Sequence, residues 1–194
     1  MAERTLRADA ARNHQRIVDA ALAAFEDAGP AVTLEEIADR AAVSVATLYR
    51  RFGNRDQVVR AAFDHVLSTE VEPVADARTD DAWHDLTGLL SAAVDSLSRR
   101  QGLLAVTREA RVADVESVQR CVNSLRRMLD RAIEAGVVRP ELEVRDLAAV
   151  ISMTLSTVHP DDPEGLDRRR YLALLVDGLR PSPDTLPPPS ARGR

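Results

Sequence analysis

The stretch TLEEIADRAAVSVATLYRRFGNRDQVV, residues 33–59, decides the fold. Thr33 followed three residues later by Glu36 is a capping box: the hydroxyl accepts from the amide at 36, and the carboxylate reaches back. Ile37 and Ala41 are the apolar positions of the short helix that follows. Ala42-Val43-Ser44 makes a turn, Ser44 caps a second helix, and Leu48 with Phe52 form its i, i+4 apolar pair. Asn54 and Gln57 open a further helix in the same way. Two short capped helices joined by a tight turn have the layout of a helix-turn-helix. Small Ala38 sits where the two helices approach, while Ile37, Val43 and Leu48 point inward.

The same periodicity continues on both sides. Ile17, Ala21, Ala24, Phe25 and Ala28 share one helical face that ends at Gly29-Pro30. Val59, Ala62, Phe63, Val66 and Leu67 form the face of a fourth helix, and residues 73–81 are a polar break. Beyond the break, Trp83, Leu86, Leu90, Val94 and Leu97 share a helix in which Gly88 marks close approach of another helix or of a ligand. Gly102 precedes a shorter segment through Val106 and Ala110. A long helix carries Val118, Val122, Leu125, Leu129 and Ala132 and closes at Gly136 and Pro140. Residues 147–158 are apolar around more than one face and need cover on two sides. The last helix spans about 166–179, and residues 181–194, with five prolines, read as a disordered tail. The expected fold is all-α: a flexible basic arm at 1–9, a helix-turn-helix domain at 10–70, and a second helical domain at 75–180. The fourth helix links the two domains.

Composition bounds the function. The chain has 194 residues and a net charge of −5; its 26 basic residues are all arginine. Net acidity taken alone argues against a nucleic-acid partner. The local distribution reverses that reading. Residues 1–16 carry +2 and residues 40–60 carry +4, while residues 17–39 hold six acids and no arginine. A basic face formed by Arg4, Arg7, Arg12, Arg50, Arg51 and Arg55 follows if the acids turn away from it. The single cysteine, Cys121, makes no internal disulfide; it reads as an inert thiol, with a redox sensor as the alternative. No secretory segment opens the chain and no apolar run spans a bilayer, so a cytoplasmic setting without membrane contact is expected. Scattered histidines and the absence of nucleophile-elbow, phosphate-loop and metal-ligand spacings predict no enzyme, no metal and no cofactor.

The second short helix presents Val45, Ala46, Thr47, Tyr49, Arg50 and Arg51 outward. Methyl groups, hydroxyls and guanidinium forks are groups that contact thymine, phosphate and guanine in a major groove. Residues 10–67 closely resemble the TetR-type DNA-binding domain, and the C-terminal RRRYLALLVDGLRP is similar to the closing helix of many such regulators. Four residues depart from that family's pattern. Ala42 replaces the turn glycine, at a strain of roughly 1 kcal/mol if left-handed. Ala46 replaces a second glycine, Arg51 stands where histidine is common, and Arg55 replaces lysine. The resemblance implies phosphate contacts from Thr33, Thr47, Tyr49 and Arg55, capping by Ser44, and base contacts from Val45, Ala46 and Arg50, with Arg51 open to either use.

It further implies a homodimer formed by the last two helices, with Leu147, Ile151, Leu155, Tyr171 and Leu175 at the interface. A cavity for an unidentified small-molecule effector is implied among the middle helices, with Trp83, His84, Leu104, Leu125, Met128 and His159 as candidate lining. The function expected is that of a repressor released from a palindromic double-stranded DNA operator when the effector binds. Two alternatives stay open: a TetR-type activator, or a helical protein-interaction adaptor without ligand control.

Overall fold

The computed structural model of the protein describes the backbone of residues 2–110, 116–159, 162 and 164–190, with side chains from residue 11 onward except 111–118. Every regular element among them is helical. The chain forms two compact units, Met1–Pro73 with Asp95–Cys121, and Val74–Val94 with Val122–Arg194.

The first unit contains α1 (Ala2–Ala28), a 3-10 turn (Gly29–Ala31), α2 (Leu34–Arg40), α3 (Val45–Phe52), α4 (Arg55–Val66) and α7 (Gln101–Glu109). Its core is the stripe of α1, with Ile17, Ala21, Ala24 and Phe25 fully covered, closed by Ile37, Leu48, Val58, Val59 and Leu103. Ala28 is exposed: the 3-10 turn rotates the last residue of the predicted stripe away from the core. The first helix also extends further back than the sequence suggests. Residues 2–9, expected as an arm, continue α1, since they lack glycine and proline. The side chains of Arg4, Arg7 and Val118 lie outside the described residues.

Helical structure also runs past the predicted break at 73. After α4 the ladder widens into a π turn (Leu67–Val71), where the Glu72 amide reaches the Leu67 carbonyl, and continues as α5 (Glu72–Asp76). Pro73 has no N–H to extend an i→i−4 ladder, and the wider turn lets the chain continue helically through it.

The second unit is built on the greater part of α6 (Ala82–Ser98) and α8 (Glu116–Glu134), with α9 (Val144–Leu155) and α10 (Leu166–Asp177) packed on each other. Leu86, Leu89, Leu90, Leu129, Leu147 and Val150 form its buried core. Asp85 is sequestered there: it accepts from Thr79 N–H and Oγ1 and from Arg131 Nη1 at 2.7–3.1 Å. Those donors, the Thr79 hydroxyl first, hold its carboxyl below the usual aspartate range. Gly88 has open space beside it, so close approach of another helix does not require it.

Residues 181–190 have no regular secondary structure, as five prolines dictate, yet they are tied down. Arg139 donates to the Asp184 carbonyl (2.6 Å), Arg145 donates to that of Ser190 (3.0 Å), and Glu141 accepts from the Leu186 amide (3.0 Å). Residues 191–194 lie outside the described residues. The tethers come from Arg139, Glu141 and Arg145, about 45 residues away, a distance at which composition carries no signal.

Candidate nucleic-acid interface

Local chemistry holds the reading helix in place. Thr33 Oγ1 accepts from Glu36 N–H at 3.2 Å and Glu36 Oε2 accepts from Thr33 N–H at 2.8 Å, the predicted capping box. The Thr33 N–H, and after it the Thr33 hydroxyl at 3.2 Å, donate to the Glu36 carboxyl and hold it below its ordinary value. Ala42 takes φ +51°, the left-handed conformation a turn glycine would adopt without strain. Ser44 Oγ accepts from Thr47 N–H at 3.1 Å and starts α3; Gly53, at φ +80°, ends it with its N–H on the Tyr49 carbonyl at 2.8 Å. Asn54 Oδ1 accepts from Gln57 N–H at 3.0 Å and starts α4.

Leu48 and Phe52 are buried, so the opposite face of α3 is turned out. Ala46, Tyr49, Arg50 and Arg51 are exposed; Val45 and Thr47 are half-buried at its edge. Thr47 Oγ1 lies 2.8 Å from Ser44 Oγ and accepts from Arg50 Nη2 at 3.1 Å, so Ser44, Thr47 and Arg50 form a hydrogen-bonded row. A row of this kind reduces the side-chain freedom that binding must remove.

Arg55 does something the sequence did not indicate. Its Nη2 donates to the Pro30 carbonyl at 2.8 Å, its Nε to that of Val32 at 3.3 Å, and its guanidinium lies 6.0 Å from the Phe25 ring centre. It secures the connection between α1 and α2, immediately before Thr33. Two further residues escaped the sequence reading. Glu26, one of the six acids of the negative stretch, accepts from Gly102 and Leu103 N–H and so caps α7. His14 stacks on Phe52 with ring centres 5.1 Å apart. Both act on residues more than thirty positions away, and no local pattern marks them.

Five of the six candidate pocket residues lie in the second unit. Leu125 and Met128 are buried in α8. His84 and His159 are exposed, and Trp83 is half-covered, with the Arg180 guanidinium 3.9 Å above its ring. Leu104 belongs to the first unit. A separate open groove of about 520 Å³ lies between α8 and the start of α9, lined by Val122, Arg126, Leu129, Leu142, Arg145 and Ala148 among others. Cys121 is half-buried, and burial raises its thiol pKa, which suits an inert side chain.

Of the residues expected at the dimer surface, Leu147 is fully covered within the chain and has no area to offer a partner. It lies with Val150 and Thr154 on the inward face of α9. Ile151, Leu155 and Leu175 are half-buried, Tyr171 is exposed, and Met153 and Leu174 stand out at 48% and 63% exposure. Among the described residues, no helix is long and apolar enough to cross a membrane and no cluster of histidine, cysteine and carboxylate side chains could hold a metal ion.

A short helix capped at both ends, with two arginines, a tyrosine and a hydroxyl row on its free face, defines a helix-turn-helix DNA-binding protein. Comparison with known families makes this specific. Residues 17–62 match the model for bacterial regulatory proteins of the tetR family, and residues 81–181 match the model for the SbtR-like transcriptional regulator C-terminal domain. The chain belongs to the tetR family of transcriptional regulators. No curated protein matches it. Among solved structures it is similar to the TetR regulator SCO0520 from Streptomyces coelicolor, at 26% identity and TM-score 0.63 over 87% of this chain and 99% of that one. It shares its fold with FadR, described as a fatty acid degradation regulator, from Bacillus halodurans, at 22% identity and TM-score 0.69 over 87% and 96%. KstR2 of Mycobacterium tuberculosis, described as a ketosteroid regulator, gives 21% identity and TM-score 0.58 over 87% and 95%.

Proposed function

We propose that the protein is a homodimeric repressor that binds a palindromic DNA operator through α3 and releases it when a small molecule binds the C-terminal domain. The observation that carries the reading is the outward face of α3, where Thr47, Tyr49, Arg50 and Arg51 stand over buried Leu48 and Phe52. Arg50, oriented by Thr47, reads a base; Val45 and Ala46 offer methyl contacts; Thr33, Thr47 and Tyr49 contact phosphate. Ser44 holds the helix start, and Arg55 supports the same surface from behind. Arg51 serves base or phosphate.

Dimerisation through α9 and α10 is supported by the apolar groups left exposed there, Met153, Tyr171 and Leu174, beside half-buried Ile151, Leu155 and Leu175. A two-fold pair places two reading helices on adjacent half-sites. An aliphatic effector fits a chain that is only 3% aromatic, and FadR, a fatty acid degradation regulator by description, shares the fold. Ligand binding shifts the population toward a separation of the reading helices that no longer matches the operator.

The test is an anisotropy titration against duplexes selected from random DNA. Salt-sensitive binding to an inverted repeat is expected, and a two-fold mass by sedimentation at micromolar protein. Absence of binding to any selected duplex removes the DNA-reading assignment; a monomer removes the operator geometry.

A further inference from the structure

His14 belongs to α1, outside the helix-turn-helix, yet it meets the reading helix twice. Its ring stacks on Phe52 with planes 25° apart, and Arg51 Nε directs its N–H at His14 Nδ1 across 3.5 Å. Nδ1 accepts only while it carries no proton. Three charged or titratable groups face this ring from the packed elements: Arg51 on α3, and Asp64 and His65 on α4. Of these, the carboxylate of Asp64 is taken by Arg120 at 2.6 Å, and Arg120 is held in turn by Glu72 at 2.9 Å. His65 Nε2 lies 3.3 Å from the Gln15 side-chain amide. The ring therefore sits beside a guanidinium and a second imidazole, with its carboxylate neighbour engaged elsewhere. Burial first, then the Arg51 charge, push its pKa below the ordinary histidine value.

We propose that His14 is a positioning residue for DNA reading: unprotonated, it aims the Arg51 guanidinium from the flank of α3, and proton uptake releases Arg51 and lowers discrimination between DNA sequences. The inference rests on α3 being the reading helix and takes Arg51 as a base contact rather than a phosphate contact. Two substitutions separate its parts. His14→Phe keeps a ring on Phe52 but removes the acceptor, whereas His14→Gln keeps an acceptor that does not titrate.

The experiment measures the ratio of affinities for a selected duplex and for a scrambled one, a ratio in which non-specific phosphate attraction largely cancels. For the full-length wild type, the ratio should fall as pH is lowered from about 7.5 through the His14 titration, which lies below the ordinary histidine range, reaching a loss of about five- to tenfold once the ring is protonated and one charged hydrogen bond is lost. His14→Gln should hold the high ratio across the range. His14→Phe should show the low ratio throughout, as Arg51→Ala should. In parallel, NMR titration of the free protein should show the His14 pKa rising in Arg51→Ala, and also in Arg120→Gln, which frees Asp64. A wild-type profile in His14→Phe, or a His14 pKa indifferent to Arg51, overturns the proposal while leaving DNA binding intact. Failure of the wild type to bind any selected duplex instead removes the reading of α3, and this inference with it.

Discussion

Glu26, near the end of α1, accepts the backbone N–H of Gly102 at 3.1 Å, across 76 residues of chain. The neighbouring Leu103 amide donates to the other oxygen at 3.2 Å, so one carboxylate satisfies two amides of the first turn of α7. Gly102 allows this approach. A Cβ at that position would overlap the carbonyl of Phe25 and crowd the Glu26 backbone. Gly102→Ala should therefore force α7 off α1 and lower stability by about 1–3 kcal/mol, the usual cost of overpacking a fitted contact. Thermal or urea unfolding checks this, and an unchanged midpoint would show that the two helices can part without loss.

The strain at Ala42 gives the opposite sign. A left-handed alanine costs roughly 1–2 kcal/mol, and the extra unfolded-state freedom of glycine returns about 0.5–1 of that. Ala42→Gly should thus raise stability by about 0.5–1 kcal/mol, seen as a higher denaturant midpoint with an unchanged slope. DNA affinity should not fall, because the turn conformation is the one glycine already prefers.

Arg50 and Arg55 should fail differently. Arg50→Ala should relax base preference at one position of each half-site, by about 1–3 kcal/mol, as read from selected sequences. Arg55→Lys keeps the charge, so the salt dependence of DNA binding should be preserved. A lysine has no fork to span the carbonyls of Pro30 and Val32, and stability should fall by about 1 kcal/mol. Equal stability of Arg55→Lys and the wild type would show that the two carbonyl contacts contribute nothing.

Acid should loosen the second unit through Asp85. Its folded pKa is depressed, so its contribution is complete above the ordinary aspartate value and is lost as pH falls through the lower, folded value. Melting temperature should therefore drop below about pH 4. Asp85→Asn should be less stable at neutral pH and show a shallower acid slope than the wild type.

What was legible in the sequence was local. Thr33 and Ser44 each cap the amide three residues on, as their spacing demands, and Leu48 and Phe52 are buried as their period requires. The turn strain at Ala42 was visible for the same reason: it is a property of one residue in one place. Arg55 shows the limit. The resemblance implied a phosphate contact; that its guanidinium also spans two carbonyls more than twenty residues back was not legible. Leu147 looked available for a partner because periodicity cannot tell which side of a broadly apolar helix the chain covers itself. Pro73 read as a break, since nothing in composition indicates that a π turn will carry the helix past it.

The Arg180 guanidinium lies 3.9 Å above the ring of Trp83, and the chain has one tryptophan. That pair is a built-in optical reporter. A cation held over an indole face perturbs its emission, and no other indole dilutes the signal. Any event that moves the end of α10 from the start of α6 should change colour or intensity in the unmodified protein, with no dye attached and no DNA present.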